Sequence, residues 1–158
     1  MSMEHDEDAW RREQGLAAQA RALLSGQRDR IANAANLSAL LFMSLEDVNW
    51  AGFYFLRGDT LLVGPFQGKP ACVSIPLGQG VCGTAAQTRK TQRVDDVNRF
   101  DGHIACDADS RSEIVVPLVR EGELLGVLDI DSPEPNRFSA EDQAILERVA
   151  QIWLESID

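Results

Sequence analysis

The chain has 158 residues, of which 44% are hydrophobic and 25% charged, with a formal net charge of −10 at pH 7. This length and apolar content suit one globular domain, and the acidity disfavours nucleic acid and anionic membranes as partners. No apolar stretch reaches the length of a membrane span and the acidic N-terminus lacks the order of a secretory signal, so we expect a cytoplasmic protein.

The first part of the chain predicts an acidic tail followed by two helices. Residues 1–8 are acidic, and the remaining residues 9–158 are expected to form one domain. Apolar residues recur at helical spacing over 9–24 and again over 28–45, and Ser25 and Gly26 between them are typical of a helix end. Nothing in these two segments indicates chemistry, so we expect them to pack on the core or on a second copy.

From Asn49 onward the apolar period changes from helical to alternating. Three strands are expected over 50–56, 60–66 and 71–75, joined by short turns as in an antiparallel meander. Alternation places Trp50 and Tyr54 on one face of the first strand and Phe53 and Phe55 on the other. The first pair, which carries polar groups, indicates either a pocket wall or ordinary core packing.

A glycine-rich segment, residues 78–83, leads into a short helix predicted over 84–90. Cys82 would then lie near the positive end of that helix, where a thiolate is favoured. The Walker and dinucleotide-binding patterns are both absent from the segment. Cys82 is therefore a candidate nucleophile.

A second candidate, Cys106, lies in a polar loop within residues 102–117, after a short strand predicted over 91–97. Buried structural cysteines usually occupy apolar runs, whereas Cys106 lies between Ala105 and Asp107, and reactive groups are often carried on loops. The residues alone leave two interpretations open, a reactive thiol or a small apolar side chain.

The three cysteines do not indicate a permanent disulfide framework or a metal site. Their number is odd, they form no CxxC pair, and a reducing compartment disfavours structural disulfides. Only His103 and Cys106 approach the spacing of paired zinc ligands. We expect neither a metal ion nor a cofactor.

Two further strands, over 113–120 and 123–131, predict a hairpin that carries a cluster of carboxylates. Alternation places Asp129 and Asp131 on one face, and Glu113 opens the partner strand. Such a cluster retains a proton near neutral pH and attracts an ammonium group. Alternatively, Asp131 simply begins a turn, where aspartate is favoured for local hydrogen bonds.

The last predicted element is a helix that begins after Ser139, with Asp142 three residues further on as in a capping box. A buried stripe is expected at Leu146, Val149, Ala150, Trp153 and Ile157. The order of elements predicts an α+β fold, in which one antiparallel sheet is flanked by N-terminal and C-terminal helices.

Six segments of the chain resemble, in order, the motifs of the GAF-domain free methionine-(R)-sulfoxide reductases. Together they contain all three cysteines, and the match runs from Asn49 to Asp142. The segments are 64–69, 71–73, 80–83, 100–107, 112–118 and 126–131. The resemblance implies a GAF domain over 9–158 and an enzyme that reduces the R epimer of free methionine sulfoxide.

The resemblance also implies roles for individual residues. Cys106 would attack the sulfoxide and become a sulfenic acid, Cys72 would form a disulfide with it, and thioredoxin would reduce that disulfide. Cys82 would resolve in place of Cys72 or relay the disulfide. The substrate would be bound by Glu113, Asp129, Asp131 and Asp95 at its ammonium and sulfoxide oxygen, and by Trp50 and Tyr54 at its methylsulfinyl end. A homodimer that pairs through the terminal helices is expected.

The main alternative is a GAF sensor module that binds a small molecule without converting it. Residues 98–101 resemble the nucleotide-binding signature of that branch only superficially, and we expect no attached output domain. Attachment of a chromophore would explain one cysteine rather than three. A purely structural domain would leave the acidic strand face unexplained.

Overall fold

The computed structural model describes residues 15–102, 106 and 109–158. Residues 15–24 are helical and are called α1; the predicted acidic tail and the predicted start of this helix lie outside the described residues. The other elements are α2 (Arg30–Ser44), β1 (Trp50–Arg57), β2 (Thr60–Gly68), β3 (Ser74–Pro76), α3 (Gly80–Thr88), β4 (Gln92–Val94), a 3₁₀ turn (Val97–Arg99), β5 (Ser112–Arg120), β6 (Glu123–Ser132) and α4 (Ala140–Ser156).

The strands form one six-stranded sheet in the order β3-β2-β1-β6-β5-β4, and each neighbouring pair is antiparallel. β1 and β6 are the two central strands, so side chains at their middle are shielded by neighbours on both sides. The predicted α+β class is confirmed. Within the described residues, no helix has both the length and the apolar character needed to cross a membrane.

One face of the sheet packs against α1, α2 and α4 in the larger of two hydrophobic cores. Phe53 and Phe55 of β1 contact Trp153 of α4, with ring centroids 5.1 and 5.9 Å away. Ile130 and Leu128 of β6 point to the same side and are fully buried. The alternation predicted for β1 and β6 is therefore confirmed on this face.

The opposite face carries a second, smaller core, covered by α3 and by the segment before it. Trp50 and Tyr54 of β1 lie here, together with Val127 of β6 and Cys82 of α3. The acidic residues of β5 and β6 alternate with the apolar residues of the larger core, so they also point to this side.

Local capping explains where the two long helices begin. The Asp29 carboxylate accepts hydrogen bonds from the backbone N–H groups of Ile31 and Ala32 at the start of α2. At α4, Ser139 and Asp142 form the predicted capping box, with bonds of 2.8 and 3.1 Å. The stripe predicted on this last helix is buried.

Two predicted elements have different bounds in the structure. β3 covers only 74–76 and not 71–75; Cys72, within the predicted strand, is covalently linked to Cys106, and the backbone oxygen of Val73 accepts a hydrogen bond from the N–H of Val63 over 2.9 Å. α3 begins at Gly80 rather than at residue 84, and Gly80 has a φ of +66°, which glycine adopts without strain.

The close approach of β1 to β6 gives the first prediction. A Cβ added at Gly126 would lie 2.1 Å from the backbone oxygen of Tyr54, so Gly126→Ala must push the central strands apart. We expect the free energy of unfolding to fall by about 1–3 kcal/mol, as for other overpacked sites, measured by urea titration. Gly15→Ala, where the added Cβ would lie 3.9 Å from the Gln19 side-chain nitrogen, should cause no loss; equal stability of the two variants would contradict the prediction.

Candidate active site

A cavity opens on the α3 face of the sheet and encloses about 40 Å³ accessible to water. Its floor is formed by β1, β5 and β6, and its rim by the start of α3 and by the loop of Cys106. Among the described residues, the lining consists of Trp50, Tyr54, Pro70, Ala71, Ile75, Gln79, Gly80, Val81, Cys82, Cys106, Ser110, Glu113, Asp129 and Asp131. The described part of the lining thus contains three carboxylates and no cationic side chain.

Strand register brings the three carboxylates together. Asp131 pairs with Glu113 across the β5–β6 ladder, and Asp129 lies two residues before Asp131 on the same face of β6. Side chains two apart on a strand and directly opposite on its neighbour are close in space. The prediction of an acidic pocket is confirmed, and the alternative that Asp131 serves only a turn is not needed.

Burial and mutual repulsion determine the protonation of this cluster. Asp129 is only 4% exposed, and burial, followed by the charges of Asp131 and Glu113, raises its pKa well above the ordinary value. In the described part of the chain, no hydrogen-bond donor reaches Oδ1 of Asp129. Asp129 therefore holds its proton to a higher pH than an ordinary carboxyl group does.

Cys82 is buried beside the carboxylates. Its Sγ lies 3.8 Å from Oε2 of Glu113. Burial, followed by the charges of Asp129 and Glu113, raises the pKa of this thiol well above its usual range. The prediction that the helix N-terminus favours a Cys82 thiolate is therefore wrong: Cys82 does lie in the first turn of α3, but desolvation and the nearby acids outweigh the helix dipole.

Cys72 and Cys106 form a disulfide at the rim of the cavity, with their Cα atoms 5.3 Å apart. Their loops are also joined by an exposed ion pair between Lys69 and Asp109, 2.7 Å long. Cys106 is part of the cavity lining, whereas Cys72 is not. The pairing implied by the family resemblance is confirmed, and Cys82 remains as a free thiol.

Trp50 and Tyr54 both pack in the core and form a wall of the cavity, so both of the roles considered for them apply. Both residues are 2% exposed and belong to the smaller core, yet both line the cavity. Their rings lie 5.7 Å apart, and the indole N–H of Trp50 donates to the backbone oxygen of Lys69 over 3.1 Å. Burial, followed by the charge of Asp129, raises the pKa of Tyr54, which keeps its hydroxyl protonated.

The structure does not place Asp95 with the other predicted site residues. It directly follows β4, is exposed, and is absent from the cavity lining. Its backbone oxygen accepts a hydrogen bond from the N–H of Asn136 over 2.9 Å. The preceding residue, Val94, is the one that pairs with Glu113, and β4 ends there, so Asp95 lies in the bend beyond the strand.

Sequence reasoning missed seven residues of the described lining: Pro70, Ala71, Ile75, Gln79, Gly80, Val81 and Ser110. Ser110 is only 8% exposed, and no described residue forms a hydrogen bond with its hydroxyl. The start of α3 supplies Gln79, Gly80 and Val81, and the Gly80 N–H donates to the oxygen of Gly102 over 3.1 Å. The glycine-rich segment was a signal for this helix start, whereas Ser110 in a polar loop carried none.

Comparison with known proteins shows similarity over most of the chain. A family model of the GAF domain matches residues 31–153. The free methionine-R-sulfoxide reductase of Escherichia coli (strain K12) is 58% identical to this chain over 132 residues, which cover 83% of this chain and 80% of that protein.

Solved structures give the same result in three dimensions. The fRMsr of Staphylococcus aureus in complex with its substrate has a TM-score of 0.88 and 48% identity, covering 92% of this chain and 95% of that chain. The free methionine-R-sulfoxide reductase from Neisseria meningitidis in complex with its substrate also has a TM-score of 0.88, with 39% identity and coverage of 91% and 87%.

The buried cluster predicts an unusual dependence of stability on pH. Between the ordinary aspartate pKa near 4 and its raised native pKa, Asp129 holds more proton in the native state than in the unfolded state. Stability contributed by this group therefore falls as the pH rises through that window. Asp129→Asn removes this loss, and its amide can donate to Glu113 or Asp131.

We therefore expect Asp129→Asn to raise the melting temperature at about pH 8, with the gain shrinking as the pH is lowered towards about 4. Thermal unfolding followed by circular dichroism measures this. Asp59→Asn, which removes an exposed carboxylate in the β1–β2 turn, is the matched control and should show little effect. A lower melting temperature for Asp129→Asn across the whole range would contradict the prediction.

Proposed function

Because this chain belongs to the GAF-domain free methionine-R-sulfoxide reductases, we propose that its acidic cavity binds free methionine (R)-sulfoxide and that its cysteines reduce it. The chain is an L-methionine (R)-S-oxide reductase. The observation that carries this conclusion is the disulfide between Cys72 and Cys106 at the mouth of a buried acidic cavity. It is the oxidised product that such a reaction leaves in the enzyme.

Both charged ends of a free amino acid find partners in the cavity. The substrate ammonium binds at Glu113, Asp129 and Asp131, where it can donate to Oδ1 of Asp129, an atom that no described residue hydrogen-bonds. Because no described lining residue is cationic, the substrate carboxylate is bound at the start of α3, where helix N–H groups lack intrahelical partners. A methionine sulfoxide within a peptide has neither charge and is excluded on that ground.

In the first chemical step, oxygen passes from the substrate to Cys106. The Cys106 sulfur attacks the sulfoxide sulfur while the retained proton of the acidic cluster goes to the sulfoxide oxygen, which offsets the negative charge that develops there. This attack forms an S–S bond, and the Cys106 thiol proton passes to the acidic cluster and replaces the one it gave. The hydroxyl group then moves from the substrate sulfur to the Cys106 sulfur as the S–S bond breaks, which leaves Cys106 as a sulfenic acid and releases methionine. The substrate sulfur gains two electrons and the Cys106 sulfur loses two.

The second step produces the disulfide seen in the structure. The Cys72 thiol attacks the sulfur of the Cys106 sulfenic acid, the S–S bond forms, and the hydroxyl group leaves as water after it takes up a proton. An external dithiol then reduces the disulfide by thiol–disulfide exchange and returns both thiols. We propose thioredoxin as that dithiol.

Cys82 has a subordinate role in this scheme. Its thiol is buried and held protonated by the neighbouring acids, and a thiol rather than a thiolate is a poor nucleophile. We propose that Cys72 is the main resolving residue. Cys82 acts only as a slow alternative resolver, or as a relay of the disulfide, when Cys72 is missing.

In the disulfide form, the water-accessible space of the cavity is about 40 Å³, which corresponds to about three water molecules, and the disulfide links the two loops at its rim. Reduction of the disulfide breaks the covalent link between the loops of Cys72 and Cys106, which are otherwise joined by an exposed ion pair. We propose that substrate binds only to the reduced protein.

Two further properties remain proposals. Leu23 of α1 and Ile31 of α2 expose 43% and 47% of their surfaces, which supports a homodimer paired through the N-terminal helices. A monomeric mass by light scattering would remove that proposal. The net charge of −10 supports a cytoplasmic enzyme, and a secreted fraction in a fractionation experiment would contradict it.

The substrate assignment predicts a specific pattern of turnover. With dithiothreitol as reductant, free methionine (R)-sulfoxide should be converted to methionine, whereas the S epimer and a peptide-linked sulfoxide should not. The reason is that the cavity binds both charges of the free amino acid and presents only one face of the sulfoxide to Cys106. Chromatography of the amino acid products measures this; turnover of the peptide-linked form would contradict the binding scheme.

The cysteine roles predict three different outcomes for serine variants. Cys106→Ser should lower kcat by at least about 10³-fold, because the nucleophile is lost. Cys72→Ser should retain formation of one methionine per protein in a single turnover but should lose most thioredoxin-dependent recycling. Cys82→Ser is the matched control. Its thioredoxin-dependent turnover should stay within about threefold of wild type, because Cys82 takes part only when Cys72 is missing. Loss of single-turnover product in Cys72→Ser alone would reverse the two roles.

A further inference from the structure

We propose that Cys82, Glu113 and Asp129 also form a binding site for a thiophilic divalent cation of the zinc type, which occupies the acidic cavity in place of the substrate. The sulfur and oxygen atoms that these three side chains offer all lie within 4.8 Å of one another. They are carried by α3, β5 and β6, three elements packed together in the centre of the fold. The ligand positions are therefore set by the scaffold rather than by a loop.

An unsatisfied atom in the cluster points to a cation. Oδ1 of Asp129 receives no hydrogen bond from any described residue, and only 4% of the Asp129 surface is exposed to solvent. A buried carboxylate oxygen without a partner is energetically unfavourable. The cavity lining in the described chain offers no cationic side chain to pair with it. A bound metal ion would be such a partner.

The donor set selects the kind of metal. Magnesium and calcium take oxygen ligands, whereas zinc combines thiolate sulfur with carboxylate oxygen and commonly keeps a fourth position for water when three protein ligands are present. Cys82 supplies the sulfur and is 4% exposed. On binding, the Cys82 proton is released to the buffer and the sulfur coordinates the ion. The 40 Å³ of the cavity leave room for the fourth ligand, a water molecule.

The site exists in the disulfide form of the protein, where Cys82 is the free thiol. It overlaps the carboxylates that the proposed function assigns to the substrate ammonium, so metal and substrate exclude each other. Binding of the metal requires neither substrate nor turnover. Its test is therefore independent of the reductase assignment.

The first measurement uses the wild-type protein with its disulfide formed and with no added thiol. Addition of Co²⁺ should produce a thiolate-to-cobalt charge-transfer band in the near ultraviolet, and only Cys82 can supply that thiolate. Addition of Zn²⁺ should abolish the band by displacing cobalt at a ratio of one ion per chain. Absence of the band in the folded wild-type protein would overturn the proposal.

The second measurement compares variants by isothermal titration calorimetry with Zn²⁺. Cys82→Ser and Asp129→Asn should each weaken zinc binding at least about 100-fold, since even outer partners of metal ligands contribute 10- to 100-fold. Asp59→Asn, which removes an exposed carboxylate far from the cluster in sequence, should bind zinc like wild type. Zinc affinity that survives both cluster substitutions belongs to another part of the chain and would overturn the proposal, whatever the variants do in the reductase assay.

Discussion

The fold has to accommodate three carboxylates on one face of its sheet, of which Asp129 is buried and the other two are half-buried. Glu113, Asp129 and Asp131 are held together by the register of β5 and β6, and no cationic side chain of the described lining balances them. The burial of Asp129, followed by the charges of Asp131 and Glu113, opposes folding and raises the pKa of Asp129. The larger core on the other face, where β1 and β6 pack against α4, offsets that cost. The face of the sheet that packs against α1, α2 and α4 therefore stabilises the fold, and the face under α3 carries the candidate active site.

The same cluster has opposite effects on the two sulfurs closest to it. For Cys82, enclosed beside Glu113, the negative charge and the lack of water keep the proton on the thiol. For Cys106, at the rim, we propose that the cluster instead supplies a proton to the sulfoxide oxygen. In this proposal attack and protonation occur together, so Cys106 does not need to be a thiolate beforehand. The different roles proposed for Cys106 and Cys82 therefore depend on where each lies relative to the acidic residues, not on the sequence around it.

Those parts of the fold and site that depend on local pattern could be predicted from the sequence. Strand alternation places Asp129 and Asp131 on one face of β6, and the capping box at Ser139 depends only on residues three apart. The features that could not be predicted depend on tertiary contacts. Glycine is a poor helix former, so α3 was expected to start four residues too late. The protonation of Cys82 depends on its burial, which no spacing reveals. Asp95 was assigned by resemblance, but β4 ends at Val94 and Asp95 lies in the bend beyond the strand.

A metal site was not expected from the sequence because its ligands come from α3, β5 and β6 and have no characteristic spacing. The same physical property makes the cavity suitable for both kinds of occupant, since carboxylates attract any cation. What distinguishes them is the donor. An ammonium group donates hydrogen bonds to oxygen and leaves the Cys82 proton in place, whereas zinc must displace that proton and bind the sulfur directly. The neighbouring acids make this proton hard to remove until a divalent charge cancels their repulsion. A protonated Cys82 thus favours binding of the substrate over binding of the metal. When no substrate is bound, the Cys82 sulfur beside the acids allows a thiophilic metal to bind in the cavity.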